Sequence, residues 1–151
     1  MSMQVLSDQI KTKLEAITGI SNVYDYAWID FDGFPAATIT PSGFESNYQT
    51  NIENERKYIF TVRLFHKISI IKQKTKEKDR VAEGFRVMRG LIDTVVDSFD
   101  KDETMTGIEL PTGKTMVSMK PVPTTISYFP DDKIIVGEVQ LDINITFDTT
   151  V

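Results

Sequence analysis

The sequence predicts a single α+β domain in which one long and one short helix pack on a mainly antiparallel sheet. Three observations support this class. A helical apolar period runs from Glu77 to Phe99, apolar and polar residues alternate before and after that helix, and 151 residues suit one hydrophobic core. The expected order of elements is α-β-β-β-α-β-β, in one domain that spans residues 1–151.

Composition and charge limit the classes of protein. With 40% hydrophobic and 26% charged residues, the chain has the balance of a folded domain. The net charge of −5 argues against a surface that grips nucleic acid throughout, but it is compatible with a local basic patch. The absence of cysteine excludes disulfides, thiolate metal sites and a cysteine nucleophile.

The beginning of the sequence, MSMQVLSDQIKTKLEAITG, has polar residues spaced through it and lacks the apolar core of a signal peptide. No apolar run is long enough to cross a membrane. We therefore expect a soluble protein that is made in the cytoplasm and has no membrane partner.

The first predicted helix carries Leu6, Ile10, Leu14 and Ile17 on one face and ends at Gly19. Residues 23–29 (VYDYAWI) and 36–40 (AATIT) are rich in aromatic and β-branched side chains, with the run DFDGFP between them. This pattern predicts a strand, a turn and a second strand.

Residues 41–56 are polar and carry Gly, Ser and Asn, which predicts a long polar loop or the extended tip of a hairpin. In the segment that follows, alternate residues form two sets, one of which comprises Tyr58, Phe60, Val62 and Leu64. This alternation predicts a strand with at least one buried face.

A basic segment, residues 67–80, has six basic and two acidic residues and hence a local net charge of +4. In an extended segment, alternate lysines would face one way and could meet phosphates or an acidic partner; they are Lys72, Lys74, Lys76 and Lys78. The alternative is a solvated loop that leads into a helix. No aromatic residue is interleaved to stack on single-stranded bases.

The long helix is predicted from Glu77 to Phe99, and its apolar stripe comprises Val81, Phe85, Met88, Ile92, Val95, Val96 and Phe99. Val87 and Leu91 widen this stripe on one flank, near Gly84, where the missing side chain permits a close backbone approach from within the subunit or from a neighbour. Arg89 and Asp93 have the spacing of a helical ion pair.

After a turn region at residues 100–114, two alternating strands are joined by a turn at Pro130–Asp132 and form a hairpin with one wet face. The apolar face of the last strand comprises Ile135, Val139, Leu141, Ile143, Ile145 and Phe147.

The run of Asp30, Phe31, Asp32 and Gly33 is the first candidate for chemistry. A calcium loop needs further oxygen ligands at alternating positions, and the four residues after Gly33 supply none from their side chains. We interpret the run as a turn, because Asp and Gly are common turn residues.

Two other motifs are weaker. Gly113, Lys114 and Thr115 end like a phosphate-binding loop, but the spacing is wrong and Pro121 bars the helix that should follow. His66 has no cysteine with which to complete a zinc site, and the sequence has no G-x-S-x-G motif whose serine it could activate. We expect no catalysis, no cofactor and no metal.

Taken together, the order of elements resembles the tail terminator proteins of long-tailed bacteriophages. The resemblance rests on the short first helix, the small-residue strand GFPAATI, a polar insertion, the strand KYIFTVRLF, the helix VAEGFRVMRGLIDTVVDSF and a closing hairpin. It covers nearly the whole chain.

The resemblance implies a structural virion protein at the head-proximal end of the tail. Six copies would form a ring that caps the tail tube, stops its polymerisation and joins the head connector or neck protein, while genomic DNA passes through the lumen without specific binding. The ring would use two unlike surfaces on each subunit, for which the candidates are Lys72, Lys74, Lys76, Lys78, Gly84, Val87 and Leu91.

Two other functions stay open at this point. The first is a head-completion or neck ring protein of the same phages, which differs in its assembly partner. The second is a nucleic-acid-binding module that uses the segment from Lys72 to Lys78, whose affinity would fall steeply with salt.

Overall fold

A computed structural model describes residues 2–28, 30–48, 53–70, 76–102 and 114–148. Within these residues, two helices pack on a sheet of five strands. The helices are α1 (Ser2–Glu15) and α2 (Glu77–Asp100), and the strands are β1 (Asn22–Tyr24), β2 (Ala36–Tyr48), β3 (Glu53–Lys67), β4 (Lys114–Phe129) and β5 (Ile134–Asp148). The predicted α+β class and the order of elements are confirmed.

The strands lie in the order β1-β2-β3-β5-β4. The pairs β2 with β3, β3 with β5 and β5 with β4 are antiparallel, whereas β1 is parallel to β2. Strand β4 is an edge strand and carries Pro121 and Pro123. Edge strands tolerate proline because a donor that would point outward is not needed for the ladder.

The hydrophobic core lies between the two helices and one face of the sheet. Alternate residues of the central strands face it, and the predicted apolar face of β5 is confirmed by the burial of Ile135, Val139, Leu141, Ile143 and Ile145. The side chain of Phe147 lies outside the described part of the chain. From α1, the predicted residues Leu6, Ile10 and Leu14 are fully buried in the same core.

The strand and turn predicted over residues 23–35 are wrong in one respect. Strand β1 is only three residues long, shorter than predicted, and it is parallel to β2, so the described residues 25–28 and 30–35 connect two parallel strands. The aromatic residues that suggested a longer strand instead stack on one another. Their ring centroids are 5.8 Å apart for Tyr24 and Tyr26, 5.7 Å for Tyr24 and Phe31, and 4.7 Å for Phe31 and Phe65.

The polar segment at residues 41–56 belongs to an extended hairpin. Strand β2 runs on to Tyr48 and pairs in antiparallel register with β3, from Pro41 with Phe60 to Tyr48 with Asn54. The prediction of a long polar loop is therefore wrong for residues 41–48 and 53–56, and the alternative of a hairpin tip is correct. Polar side chains do not prevent pairing here, because β5 provides a second neighbour for β3 along the whole segment.

Helix α2 extends from Glu77 to Asp100, within one residue of the prediction. Its first turn is attached to the turn between β4 and β5, since the Glu77 carboxylate accepts hydrogen bonds from the Tyr128 hydroxyl at 3.1 Å and from the Lys133 ammonium. These contacts lower the pKa of Glu77, with the hydrogen bond from Lys133 as the main cause. Neither helix of the described residues combines the length and the apolar character that a membrane span requires.

Candidate functional site

The basic segment does not form the row of lysines that an extended chain would present. Lys76 is the N-cap of α2 and Lys78 lies in its first turn, so the period changes from two to 3.6 residues between them. Both side chains are exposed, and the carboxylates of Glu77 and Asp79 alternate with them. Lys72 and Lys74 lie outside the described residues. The extended lysine face is thus wrong where it can be followed, because the helix begins at Glu77, and the alternative of a solvated segment that leads into a helix agrees with the exposed Lys76 and Lys78.

The helix flank predicted as a contact surface is divided between the core and the solvent. Leu91 is 7% exposed and Gly84 is buried, whereas Val87 is 36% exposed. A patch that presents all three residues to a neighbour is therefore wrong. The reason is that the helix is rotated on the sheet relative to the predicted stripe, so Leu91 takes a place in the core while Val81, Phe85 and Val96 are partly buried at its margin.

Gly84 allows a close approach within the subunit. A Cβ atom at this position would lie 2.4 Å from Ile135 Cδ1 of strand β5. From the other side, a Cβ at Gly137 of the same strand would lie 2.7 Å from Ile92 Cδ1 and 2.8 Å from Met88 Sδ. The two glycines bring α2 close to β5, which sets which helix residues face outward.

The outward residues of α2 include two arginines and Val87. Arg86, Val87 and Arg89 are all exposed, but Val87 and Arg89 are two positions apart in the helix and therefore lie on opposite flanks of its outward face, with Arg86 between them. The Arg86 guanidinium lies 3.2 Å from a Glu83 carboxylate oxygen, and the Arg89 guanidinium lies 5.8 Å from the centre of the Phe85 ring. Arg89 contacts the ring of Phe85. Among the described residues it forms no ion pair with Asp93, so the ion pair predicted from their spacing is absent.

The second face of the sheet, opposite the helices, carries charges that are paired across strands. Arg63 Nε lies 2.7 Å from Glu138 Oε1, and Lys57 Nζ lies 3.7 Å from Asp142 Oδ2. Both pairs join β3 to β5: Arg63 is directly opposite Glu138, and Lys57 reaches Asp142 diagonally. Because each charge has an opposite neighbour, the centre of this face is close to neutral.

One end of the second face is apolar. We define the sheet groove as Phe31, Phe65, Phe129, Ile134 and Val136, which line an open cavity of about 430 Å³ together with Arg63, Asp132 and Glu138. Phe129 is 50% exposed at one wall, and the stacked rings of residues 24–34 continue from the other wall to the exposed Tyr26 and Trp28. Such an exposed apolar patch on a folded domain is typical of a contact surface.

Sequence reasoning missed the sheet groove. The last strand was assigned one apolar and one polar face, but Ile134 and Val136 lie on the polar face at its beginning. The two apolar residues next to the turn were the signal, since they break the alternation that holds from Glu138 onward. Phe31 and Phe65 are far apart in sequence and meet only in the folded chain.

The sequence motifs for metal and phosphate take other roles. Asp30 and Asp32 are exposed, and the connection that contains them is attached to β1 through Ser21, whose backbone N–H donates to Pro35 O at 2.8 Å and whose hydroxyl donates to Phe34 O at 3.1 Å. Among the described residues, no cluster of three or more metal-ligating side chains is present. Lys114 begins strand β4, where a phosphate-binding loop would need a helix.

His66 is a buried titratable group on the core side of β3. Its side chain is 5% exposed and its Nδ1 atom has no hydrogen-bond partner in the described structure. Burial lowers the pKa of the imidazole from 6.5, because the charged form loses its hydration.

Comparison with known proteins provides a similarity of fold. No protein-family model matches the chain, and no curated protein sequence matches it either. Among solved structures, the chain is similar to one described as "Virion of native gene transfer agent (GTA) particle", with a TM-score of 0.63, 11% identity, and coverage of 93% of this chain and 94% of that one. The two chains share a fold. The likeness covers the helices, the sheet and the hairpin together, since almost the whole of each chain is aligned.

Proposed function

We propose that this protein is a structural component of a virion, in which copies of the chain form a ring, six in number, that caps the tail tube and joins it to the head connector. The observation that carries the proposal is the fold shared over 93% of the chain with a component of a gene transfer agent virion. The order of elements and the strand GFPAATI, which resemble tail terminators, support the same assignment.

The charges of the described residues favour assembly over nucleic-acid binding. The lysines at the start of α2 alternate with Glu77 and Asp79, and the ion pairs on the second face of the sheet are matched. Neither surface provides the uncompensated positive charge on which phosphate binding depends. DNA would pass through the ring without a specific contact, and the protein would have no catalytic role.

A neck protein is the second candidate, and the fold similarity applies to it equally because the neighbour is described only as part of a virion. The two roles differ in what happens to the tail. A terminator stops the growth of the tube, so its loss should produce tails of excess length. Loss of a neck protein should leave tails of normal length that are not joined to heads.

The test is to delete the gene for this chain from the genome that encodes the particle. The length of the resulting tails is then measured by electron microscopy. We expect overlong, headless tails, and complementation in trans should restore the normal length. Purified protein should form rings with six times the 17.1 kDa mass of one chain, in solution or on tube ends. Normal-length tails after deletion would reject the terminator role, and intact infectious particles would reject a virion role altogether.

A further inference from the structure

We propose that Lys133 is a latch with two parts that open separately. Its backbone oxygen holds the chain where it leaves β3, and its side chain holds the first turn of helix α2 by binding Glu77. Acid or high salt opens the side-chain part and leaves the backbone part closed. The inference concerns contacts within one chain, so it stands apart from the proposed function.

The two parts of the latch meet in the turn between β4 and β5. The backbone N–H of Ile68, directly after β3, donates to Lys133 O at 3.0 Å. The Lys133 ammonium donates to the carboxylate of Glu77, the first residue of α2, and the same carboxylate oxygen accepts from the Tyr128 hydroxyl at 3.1 Å. One turn residue therefore fixes both the point where the chain leaves the sheet and the point where it enters the helix.

The backbone of Lys133 indicates that its side chain is not needed for the turn itself. Its φ is 58°, in the left-handed region, which lysine adopts less readily than glycine or asparagine. Either of those residues would form the turn and would keep the backbone oxygen that accepts from Ile68. Neither would supply an ammonium group to Glu77. A residue in a disfavoured conformation points to a role for its side chain, and here that role is the contact with α2.

The two parts differ in their exposure to solvent. Ile68 is 2% exposed, so its hydrogen bond lies in a part of the chain that water and salt reach poorly. The side chains of Lys133 and Glu77 are 48% and 55% exposed, and contacts between exposed charges are weak and are screened by salt. The N-cap residue of α2, Lys76, makes no side-chain hydrogen bond to the first turn. The first turn therefore depends on the contact of Glu77, which is the part that opens.

The titratable groups around Glu77 determine the pH at which the side-chain part opens. They are Lys133 and Tyr128 across the contact and Arg80 on the same helix, while Asp131 acts on Lys133 from the turn. The hydrogen bond from Lys133 is the largest cause that lowers the pKa of Glu77 below its ordinary 4.5. The contact is therefore complete above pH 4.5 and is lost as the pH falls through the lowered pKa.

The experiment measures hydrogen exchange of single backbone amides in the full chain. The amides of Asp79 and Arg80, which both donate to Lys76 O at 3.1 Å, report on the first turn of α2. The amide of Ile68 reports on the backbone part of the latch. Exchange is expressed relative to the intrinsic rate of each amide under the same conditions, so that changes reflect opening alone.

Two variants break the side-chain contact from its two sides: Glu77→Ala and Lys133→Asn. We expect each to accelerate exchange in the first turn roughly twofold to fivefold, and exchange at Ile68 to stay as in the wild type. In the wild type, about 1 M sodium chloride and a pH below 4.5 should each produce the same acceleration. Lys133→Asn should respond much less to both, because it lacks the contact.

A double-mutant cycle separates the latch from the helix dipole. The charge of Glu77 also stabilises the start of a helix without any partner, and in that case the effects of the two substitutions would multiply. If Glu77 acts through Lys133, the double variant should exchange at the rate of Glu77→Ala alone. Glu83→Gln is the matched control: it removes the ion pair with Arg86 on the same helix and should leave exchange in the first turn unchanged.

Three results would overturn the latch: exchange in the first turn that is unchanged in either single variant, effects that multiply in the double variant, or exchange at Ile68 that accelerates as much as at Asp79. Urea unfolding verifies that every variant is folded. The cycle is measured at neutral pH, so it remains decisive even where acid unfolds the chain. Tail length after gene deletion tests the proposed function and does not depend on any of these results.

Discussion

At the residue scale, two glycines in one helix have opposite roles. Gly84 faces strand β5, and an added Cβ would lie 2.4 Å from Ile135 Cδ1. Gly90 faces solvent, and no atom lies within 4 Å of its added Cβ. The close approach of helix and sheet therefore depends on Gly84, while Gly90 only lowers the stability of the helix.

Alanine at each position separates these roles. Gly90→Ala should raise the free energy of unfolding by roughly 0.5 to 1 kcal/mol, because alanine is the better helix former and meets nothing. Gly84→Ala should lower it by up to about 2 kcal/mol, because the displacement of the buried Ile135 in a close-packed core outweighs the same gain in helix propensity. Urea unfolding measures both. Equal effects of the two substitutions would contradict the close contact.

We expect the free energy of unfolding to depend on pH because of His66. Its pKa is lowered by burial in the folded chain, so the unfolded chain binds more protons once the pH falls below 6.5. Stability from this residue is complete above pH 6.5 and decreases as the pH falls towards and through the lowered pKa, by at most about 1.4 kcal/mol per pH unit.

The measurement compares the unfolding free energy of the wild type and of His66→Gln between pH 5 and 8. The difference between them should be constant above pH 7 and should shift against the wild type below pH 6.5. Parallel curves over the whole range would show that His66 keeps an ordinary pKa in the folded chain.

At the element scale, the packing of helix α2 on the sheet determines which of its apolar residues are buried. The predicted stripe includes Phe85 as a core residue, but the buried face comprises Met88, Leu91, Ile92, Val95 and Phe99, with Phe85 at the margin near Arg89. The period of 3.6 predicts that a helix is amphipathic, whereas its rotation depends on where the sheet permits contact, here opposite Gly137.

Two phenylalanines test this rotation. Phe99→Ala should destabilise the protein by roughly 3 to 5 kcal/mol, because the ring is fully buried. Phe85→Ala should cost markedly less, since its site is open to solvent on one side. Chemical denaturation of both variants gives the comparison, and a larger loss at position 85 than at position 99 would reject the observed orientation of the helix.

At the scale of the whole molecule, the two layers present different chemistry to their surroundings. The helical layer exposes arginines beside Val87, and the uncovered side of the sheet has a neutral polar centre and an apolar end. Two unlike faces suit head-to-tail assembly, which closes into a ring when the rotation between copies permits it.

The class, the order of elements and the residues of the central core could be predicted from the sequence, because strong periods of 3.6 and 2 specify which side chains must leave water. Local pattern misplaced the aromatic connection, since stacked rings and a strand favour the same residue types. The rotation of α2 and the existence of the sheet groove could not be predicted in this way. Both depend on contacts between distant residues, such as Gly84 with Ile135 and Phe31 with Phe65, which no local period contains.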